Sequence, residues 1–531
     1  MSGLPEMVYR DGITKRGQVQ FGGYNHTPAA QDGELWDMRN LSSEYYPLLS
    51  PRRPRRHLRY INKANGFYAH DGLFWVDGTG FYADGELVGT VSDGKKVFAS
   101  LGAYIVIFPD KAYYNRLTGE FGAIESQVTA TVKFEDGTYA GEEAKGNTVF
   151  CETAGFDWSD YFNPGDGVTI SGASAEGNNK TAVVREIEDG ALRFYENCFV
   201  TGGGSQSVTV KRAVPDMDFL CENENRLWGC KGDTIYACKL GDIFNWNVFD
   251  GVATDSYAAD VASTGDFTAC ASYLGYPCFF KEEHIYKVYG DRPSNFQVMG
   301  SASMGVARGS GGSLAIAGEQ LFYLSTSGAA VYTGGMPKSL AAPFGSVKYK
   351  NAVGGSDGRR YFISMEDDKG FYSLFVYDTE CGLWHREDET EAVGFGREGA
   401  DFYCLEAGGV LWQRDSEGET EAEKEGVIES MAEFGDFVDN DPNHKGTAKL
   451  QIRCELDEGA WIKISLMFDS DGVWQKVWEM ETSRKCSRYI PIIPRREDHF
   501  RLKIEGRGMW RIYSLVRESY GGSEIGGNSA V

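Results

Sequence analysis

Seven histidines are spread along the 531 residues, and none falls in a two-histidine metalloprotease pattern or beside a serine or cysteine nucleophile. His499, at a strand start in Pro494-Arg495-Arg496-Glu497-Asp498-His499-Phe500, has the surroundings of a base or a metal ligand. The plainer reading, a histidine hydrogen-bonded locally to its neighbours, is adopted. Asp469-Ser470-Asp471-Gly472 places alternating carboxylates before a glycine, as a calcium loop does. It lacks the third alternating carboxylate and the distal glutamate, so it reads first as a hairpin turn. Gly309-Ser310-Gly311-Gly312-Ser313 has no Lys-Ser/Thr to cradle phosphate and precedes a strand, which makes it a turn. Phe244-Asn245-Trp246-Asn247 and Gly382-Leu383-Trp384-His385 could stack on sugars, but such aromatic corners more often pack a core. Carboxylate pairs for glycoside hydrolysis are defined by spatial separation, so 77 acidic residues by themselves identify none. The expectation is a non-enzymatic protein with no catalytic, cofactor-binding or metal residues and no cofactor.

The formal net charge of −24 disfavours broad electrostatic attachment to nucleic acid or anionic membrane. It leaves room for a local basic patch, and for a duct past which DNA slides without binding. The eleven cysteines run from Cys151 to Cys486 with no C-x-x-C pair, which argues against a disulfide framework or a cysteine-rich zinc site. Met1 to Gly23 lacks the apolar core of a signal peptide, and no apolar run approaches the ~18 residues of a membrane span. A soluble protein, not exported by the usual route, is expected.

Glycine (67), tyrosine (29) and phenylalanine (31) are abundant, and aromatic strands with glycine turns read as all-β. A recurring unit pairs an apolar strand with a second strand carrying Tyr or Trp. The copies begin at Gly72, Ala103, Asn225, Tyr276, Gln320, Arg360 and Ala400. With 126–212 set aside, they lie roughly 30–50 residues apart, the spacing of β-propeller blades. One hairpin cannot bury its faces, whereas six or seven stacked blades can. A β-solenoid or a string of sandwiches would show more even or more interrupted spacing. The set-aside segment alternates in Val128-Thr129-Ala130-Thr131-Val132-Lys133-Phe134 and Val208-Thr209-Val210-Lys211, as a small inserted β-barrel would. The expected organisation is an extended arm over 1–60, a propeller over 61–125 and 213–428, and a barrel over 126–212. A jelly-roll-like β-sandwich follows over 429–520, then a flexible tail over 521–531. The acid-rich stretch Asp415 to Glu425 reads as a linker or a short exposed helix. Within the arm, Pro51-Arg52-Arg53-Pro54-Arg55-Arg56 reads as a solvated strap pairing with acidic neighbours rather than a phosphate contact.

Several stretches in order resemble the tail-hub, or packaged-DNA stabilisation, proteins of short-tailed bacteriophages. They are Phe21-Gly22-Gly23 with Asp37-Met38-Arg39-Asn40-Leu41 and Tyr46-Pro47-Leu48, then Tyr236 with Leu240-Gly241-Asp242-Ile243-Phe244-Asn245-Trp246. Tyr276 to Tyr289, Gly305-Val306-Ala307, Leu321-Phe322-Tyr323-Leu324-Ser325 and Tyr377-Asp378 through Trp384 continue the likeness, which spans most of residues 20–412. The inserted barrel and the C-terminal sandwich depart from the simplest members. The resemblance implies a structural virion protein at the head–tail junction, assembled in the host bacterial cytoplasm. It implies a homo-hexameric ring that closes the portal or adaptor channel, retains packaged DNA and docks spike, fibre or needle proteins. Contact with DNA would be passive, there is no membrane partner, and no catalytic residue carries over. Two other readings stay open: a tail-tip or receptor-binding protein using its C-terminal sandwich, and a glycan-binding or glycan-cleaving propeller protein.

Overall fold

The computed structural model describes residues 13–136, 146–188, 190–195, 197–415, 420, 423–438, 444–493 and 495–521. Residues 522–531 of the expected tail, the first twelve residues of the arm and Pro494 lie outside them, as do six residues of the acid-rich stretch, 416–419 and 421–422. The described chain is all-β, its helical content confined to short 3-10 turns. No described helix is long and apolar enough to cross a membrane. Two compact units form, one of Met1–Ile61, Ala315–Thr333 and Lys338–Val531, the other of Asn62–Leu314 and Gly334–Pro337.

The second unit holds four four-stranded antiparallel sheets. The first joins Ala64–Ala69, Leu73–Asp77, Gly80–Ala83 and Glu86–Thr90, and the second Val97–Leu101, Tyr104–Phe108, Ala112–Asn115 and Phe121–Ala123. The third joins Phe219–Asn223, Arg226–Lys231, Thr234–Ala237 and Tyr257–Asp260, and the fourth Ala269–Tyr273, Tyr276–Phe280, His284–Tyr289 and Gln297–Ala302. Strand alternation turns successive side chains to opposite faces, and here both faces are buried. In Tyr104–Phe108, Ile105 and Ile107 join a core with Phe74, Val76 and Phe81 of the first sheet. Val106 and Phe108 of the same strand join another with Leu227 of the third sheet. Trp228 and Cys230 in turn pack with Phe279 and Tyr286 of the fourth. Each sheet is thus sealed by its neighbour, and each buried Ile or Phe adds roughly 1.5–3 kcal/mol.

Between the second and third sheets a six-stranded barrel closes where Ser126–Asp136 pairs with Gly202–Arg212. Val132, Phe134, Val149, Trp158, Ile170, Leu192 and Val210 fill it. The barrel is seated on the third sheet's loop by Asn245, which is buried. Asn245 donates to Asp166 at 2.9 Å and accepts from the Gly167 amide at 2.9 Å. Asp166 also pairs with Arg212 at 2.5 Å.

The first unit holds three more four-stranded sheets. Ala315–Ala317, Gln320–Ser325, Gly328–Tyr332 and Lys338–Ser339 form the fifth, and Tyr349–Ser356, Arg360–Asp367, Tyr372–Asp378 and Leu383–Arg386 the sixth. The seventh takes Ala392–Glu398, Asp401–Glu406 and Val410–Gln413 from late in the chain and its outer strand, Arg56–Tyr60, from the beginning. All seven strand pairs read from the sequence are antiparallel hairpins at the centre of these sheets.

The same unit ends in two sheets that share one core. Thr14–Gln18, Trp510–Gly521, Lys445–Leu456 and Lys485–Pro491 make one, and Leu35–Arg39, Glu429–Phe434, Phe500–Arg507, Trp461–Phe468 and Gln475–Met480 the other. Leu450, Ile452, Cys454 and Leu456 face Ile462, Ile464, Leu466, Leu502 and Ile504. The segment expected as a separate arm therefore supplies a strand to each of these sheets and one to the seventh. The physical reason is that a lone extended strand exposes unpaired amides, which sheet edges satisfy.

Candidate functional site

Among the described residues, a dense group of buried charges lies in the first unit, where the Pro51–Arg56 strap passes the loop after Leu383–Arg386. Arg52 and Arg55 are 3% and 2% exposed, and Glu387 is 3% exposed. Arg52 forms a two-pronged pair with Glu425, Nη1 to Oε2 at 2.7 Å and Nη2 to Oε1 at 2.5 Å, and its Nε donates to Asn40 at 2.9 Å. Arg55 donates to Asp388, to Glu387 at 3.2 Å and to Thr390 at 3.1 Å. Arg414 reaches Glu387 at 2.6 Å while its guanidinium lies 4.6 Å from the Phe362 ring centre. Arg53 pairs with Glu44, and Arg56 with Glu423 at 3.0 Å.

Three guanidinium groups and three carboxylates thus neutralise one another out of water. Burial alone would raise the Asp388 carboxyl, but Arg55 and Arg52 outweigh it and hold the group well below the usual carboxylate range. Burial likewise opposes ionisation of Glu425, yet the Arg52 hydrogen bonds and the Arg55 charge keep it lowered. The acidic pairing expected of the arginine run is present, since all four arginines have carboxylate partners. The strap expected to be solvated is not so throughout: Arg52 and Arg55 are buried, because the carboxylates of Glu387, Asp388 and Glu425 replace water around them. Glu425, expected in a linker or exposed helix, is instead part-buried against Arg52. Glu387, Asp388 and Arg414 were not singled out from the sequence. The acidic run Glu387-Asp388-Glu389 opposite a basic strap is the signal that could have found them.

His385, beside this network, is buried, and its pKa is pushed down to about 4, mainly by burial. Trp384 and Trp246 are 3% and 1% exposed, so neither aromatic corner is a sugar platform. Trp246 donates to its own loop at Ile243 O, 2.9 Å away, and Trp384 packs on Phe344 and Tyr377.

His499 and the Asp469–Gly472 turn, read separately from the sequence, are brought together. Phe468 and Phe500 are paired across adjacent strands, so the residues just beyond them meet. Ligand atoms of Asp469, Asp498 and His499 all lie within 4.8 Å of one another. The Asp498 amide donates to Asp469 Oδ1 at 2.9 Å, and the Asp469 amide to His499 O at 3.1 Å. His499 Nδ1 contacts Asp498 Oδ1, and Nε2 lies 2.8 Å from Ser470 Oγ. The local hydrogen bonding expected of His499 is present. Asp471 is not in the group: its carboxylate accepts from the Val473 amide at 3.0 Å and pairs with Arg495 at 3.4 Å. The hairpin-turn reading of the loop fits, since Leu466 and Gln475 pair across it.

No protein-family model matches the chain, and no curated protein does. Among solved structures it is similar to BamB from Moraxella catarrhalis, at 11% identity over 69% of this chain and 99% of that one, with a TM-score of 0.35. It is similar to the computationally designed Ika8 protein at 11% identity over 68% and 99% of the two chains, TM-score 0.33. Raptor from Chaetomium thermophilum matches at 10% identity over 70% of this chain and 29% of that one, TM-score 0.33. At TM-scores below 0.5, these likenesses carry no argument about function.

Proposed function

We propose that the chain is a non-catalytic structural protein of a tailed-phage particle, a tail hub that assembles into a ring, closes the portal or adaptor channel and docks tail appendages. In this reading the seven four-stranded sheets are blades of a β-propeller, with the barrel as an insertion and the C-terminal pair of sheets as a further docking module. The observation that supports it is the seventh sheet, whose outer strand Arg56–Tyr60 lies far earlier in the sequence than its other three, Ala392–Glu398, Asp401–Glu406 and Val410–Gln413. Such an exchange ties early and late segments into one rigid body, which suits a part that must withstand pressure. The mutual neutralisation of Arg52, Arg55 and Arg414 by Glu387, Asp388 and Glu425 fits the same purpose, since these charges brace the chain itself. A net charge of −24 suits a channel past which DNA moves without sticking.

The test is electron microscopy and native mass measurement of the purified protein, alone and mixed with phage portal and adaptor proteins. A six-copy ring that docks on the portal is expected. A monomer that joins neither portal nor tail complexes would overturn the reading. Specific adsorption of the free chain to host cells would favour a receptor-binding role instead.

A further inference from the structure

We infer that Asp469, Asp498 and His499 form a binding site for a first-row divalent transition cation of the zinc class. Two carboxylate oxygens and an imidazole nitrogen converge there within 4.8 Å. Tetrahedral zinc holds such donors at about 2.0–2.2 Å, which sets its ligand atoms about 3.3–3.6 Å apart. Small side-chain rotations close the difference, and Asp469 is exposed while Asp498 and His499 are half-buried, so an ion has access.

The charge balance points the same way. Among the described residues, no lysine or arginine pairs with the carboxylate of Asp469 or Asp498. Lys445 Nζ bonds the main-chain oxygen of Asp498, and Arg495 is engaged with Asp471. Glu497, 1% exposed and adjacent in the chain, accepts from the Thr447 amide through Oε1 and leaves Oε2 with no hydrogen-bond partner. Three carboxyl groups thus gather around one imidazole, with Lys445 the basic side chain nearby, its ammonium on the Asp498 main-chain oxygen rather than on either ligand carboxylate.

In the tautomer with Nε2–H donating to Ser470 Oγ, Nδ1 is the atom that offers its lone pair to an ion, beside Asp498 Oδ1. A ligating histidine whose other N–H is held by a hydroxyl or carboxylate is the usual support for a bound metal. An imidazole ligand also selects zinc-class ions over calcium, which takes oxygen ligands. The ion would join the turn after Trp461–Phe468 to the segment before Phe500–Arg507, pinning two loops of one sheet.

The experiment is calorimetric titration of Zn²⁺, with Mn²⁺ and Ca²⁺ in parallel, into chelator-treated full-length protein, followed by metal analysis after dialysis. One zinc per chain is expected, with a higher melting temperature in the zinc-loaded protein. Asp469→Asn and His499→Gln should each weaken binding at least tenfold, and Ser470→Ala should weaken it while leaving the ligands in place. Asp471→Asn should bind as the wild type does. Failure of the wild type to take up zinc, unchanged uptake by His499→Gln, or preference for Ca²⁺ with loss in Asp471→Asn would each overturn the assignment.

Discussion

Arg52 and Glu425 stand 373 residues apart in the chain and meet as a two-pronged pair, Nη1 to Oε2 at 2.7 Å. Further bonds hold both ends in place: Asn40 accepts from the Arg52 Nε, and the Arg55 amide donates to the same Glu425 Oε2 at 2.9 Å. Removing Arg52 leaves Glu425 and Asp388 part-buried with less compensation. Arg52→Ala should cost about 3–5 kcal/mol, the range for breaking a buried pair from one side. Arg52→Met with Glu425→Gln together should cost less than the two single changes summed, because the double variant leaves neither member of this pair facing a missing partner. Denaturant midpoints of the four proteins check this, and simple additivity would refute the coupling.

Acid should loosen the protein in a defined window. His385 is buried with its pKa pushed down to about 4, against 6.5 for a free histidine. The unfolded chain therefore binds a proton that the folded chain refuses, and stability falls as pH drops from about 6.5 to about 4. The contribution is of order 3 kcal/mol. Asp388 adds a second loss only below the ordinary aspartate range, since its folded carboxyl stays ionised longer than the unfolded one. Denaturation at pH 7, 5.5 and 4.5 should show the first fall in the wild type and a shallower one in His385→Gln.

Gly23 is a close approach of two backbones. A Cβ there would stand 2.3 Å from Trp384 O, whereas one at Gly17 would meet only Val516 at an ordinary 3.6 Å. Gly23→Ala should therefore cost about 1–3 kcal/mol, and Gly17→Ala should lie near neutrality. Equal melting temperatures for the two variants would contradict this account of how the N-terminal segment is seated.

The barrel's footing rests on Asn245. Asn245→Asp would put a second carboxylate against Asp166 and remove the amide donor that now serves it. A loss of about 2–4 kcal/mol is expected, since a buried charge is left poorly paired. Asn245→Ser should be milder. Limited proteolysis between residues 212 and 257 gives the local readout, and resistance equal to wild type would rule out this role.

What the sequence made legible was local. Phe74, Ile105, Leu227, Phe279, Phe322, Phe362 and Phe402 lie in strands whose apolar pattern and adjacent turns are read within a dozen residues. The barrel was equally visible, because Val128–Phe134 and Val208–Lys211 alternate cleanly. The fate of the first sixty residues was not. Thr14–Gln18 and Leu35–Arg39 pair with Trp510–Gly521 and Glu429–Phe434, and no pattern inside a short strand names a partner some 400–500 residues away. The charge network was half legible, as a basic strap awaiting acids. The meeting of Asp469 with His499 depends on the register Phe468↔Phe500, which two separate alternations do not specify.

The outer strand of the seventh sheet also sets a clock. Arg56 pairs with Gln413, so the strand leaves the ribosome 357 residues before the edge it will occupy. At synthesis rates of ~5–20 residues per second, that is a wait of roughly 20–70 s. For most of that time Arg56–Tyr60 and the buried arginines before it have none of their late partners. Closure of the seventh sheet therefore waits until residue 413 has been made, and nascent chains stopped before it should expose this segment to proteases or chaperones.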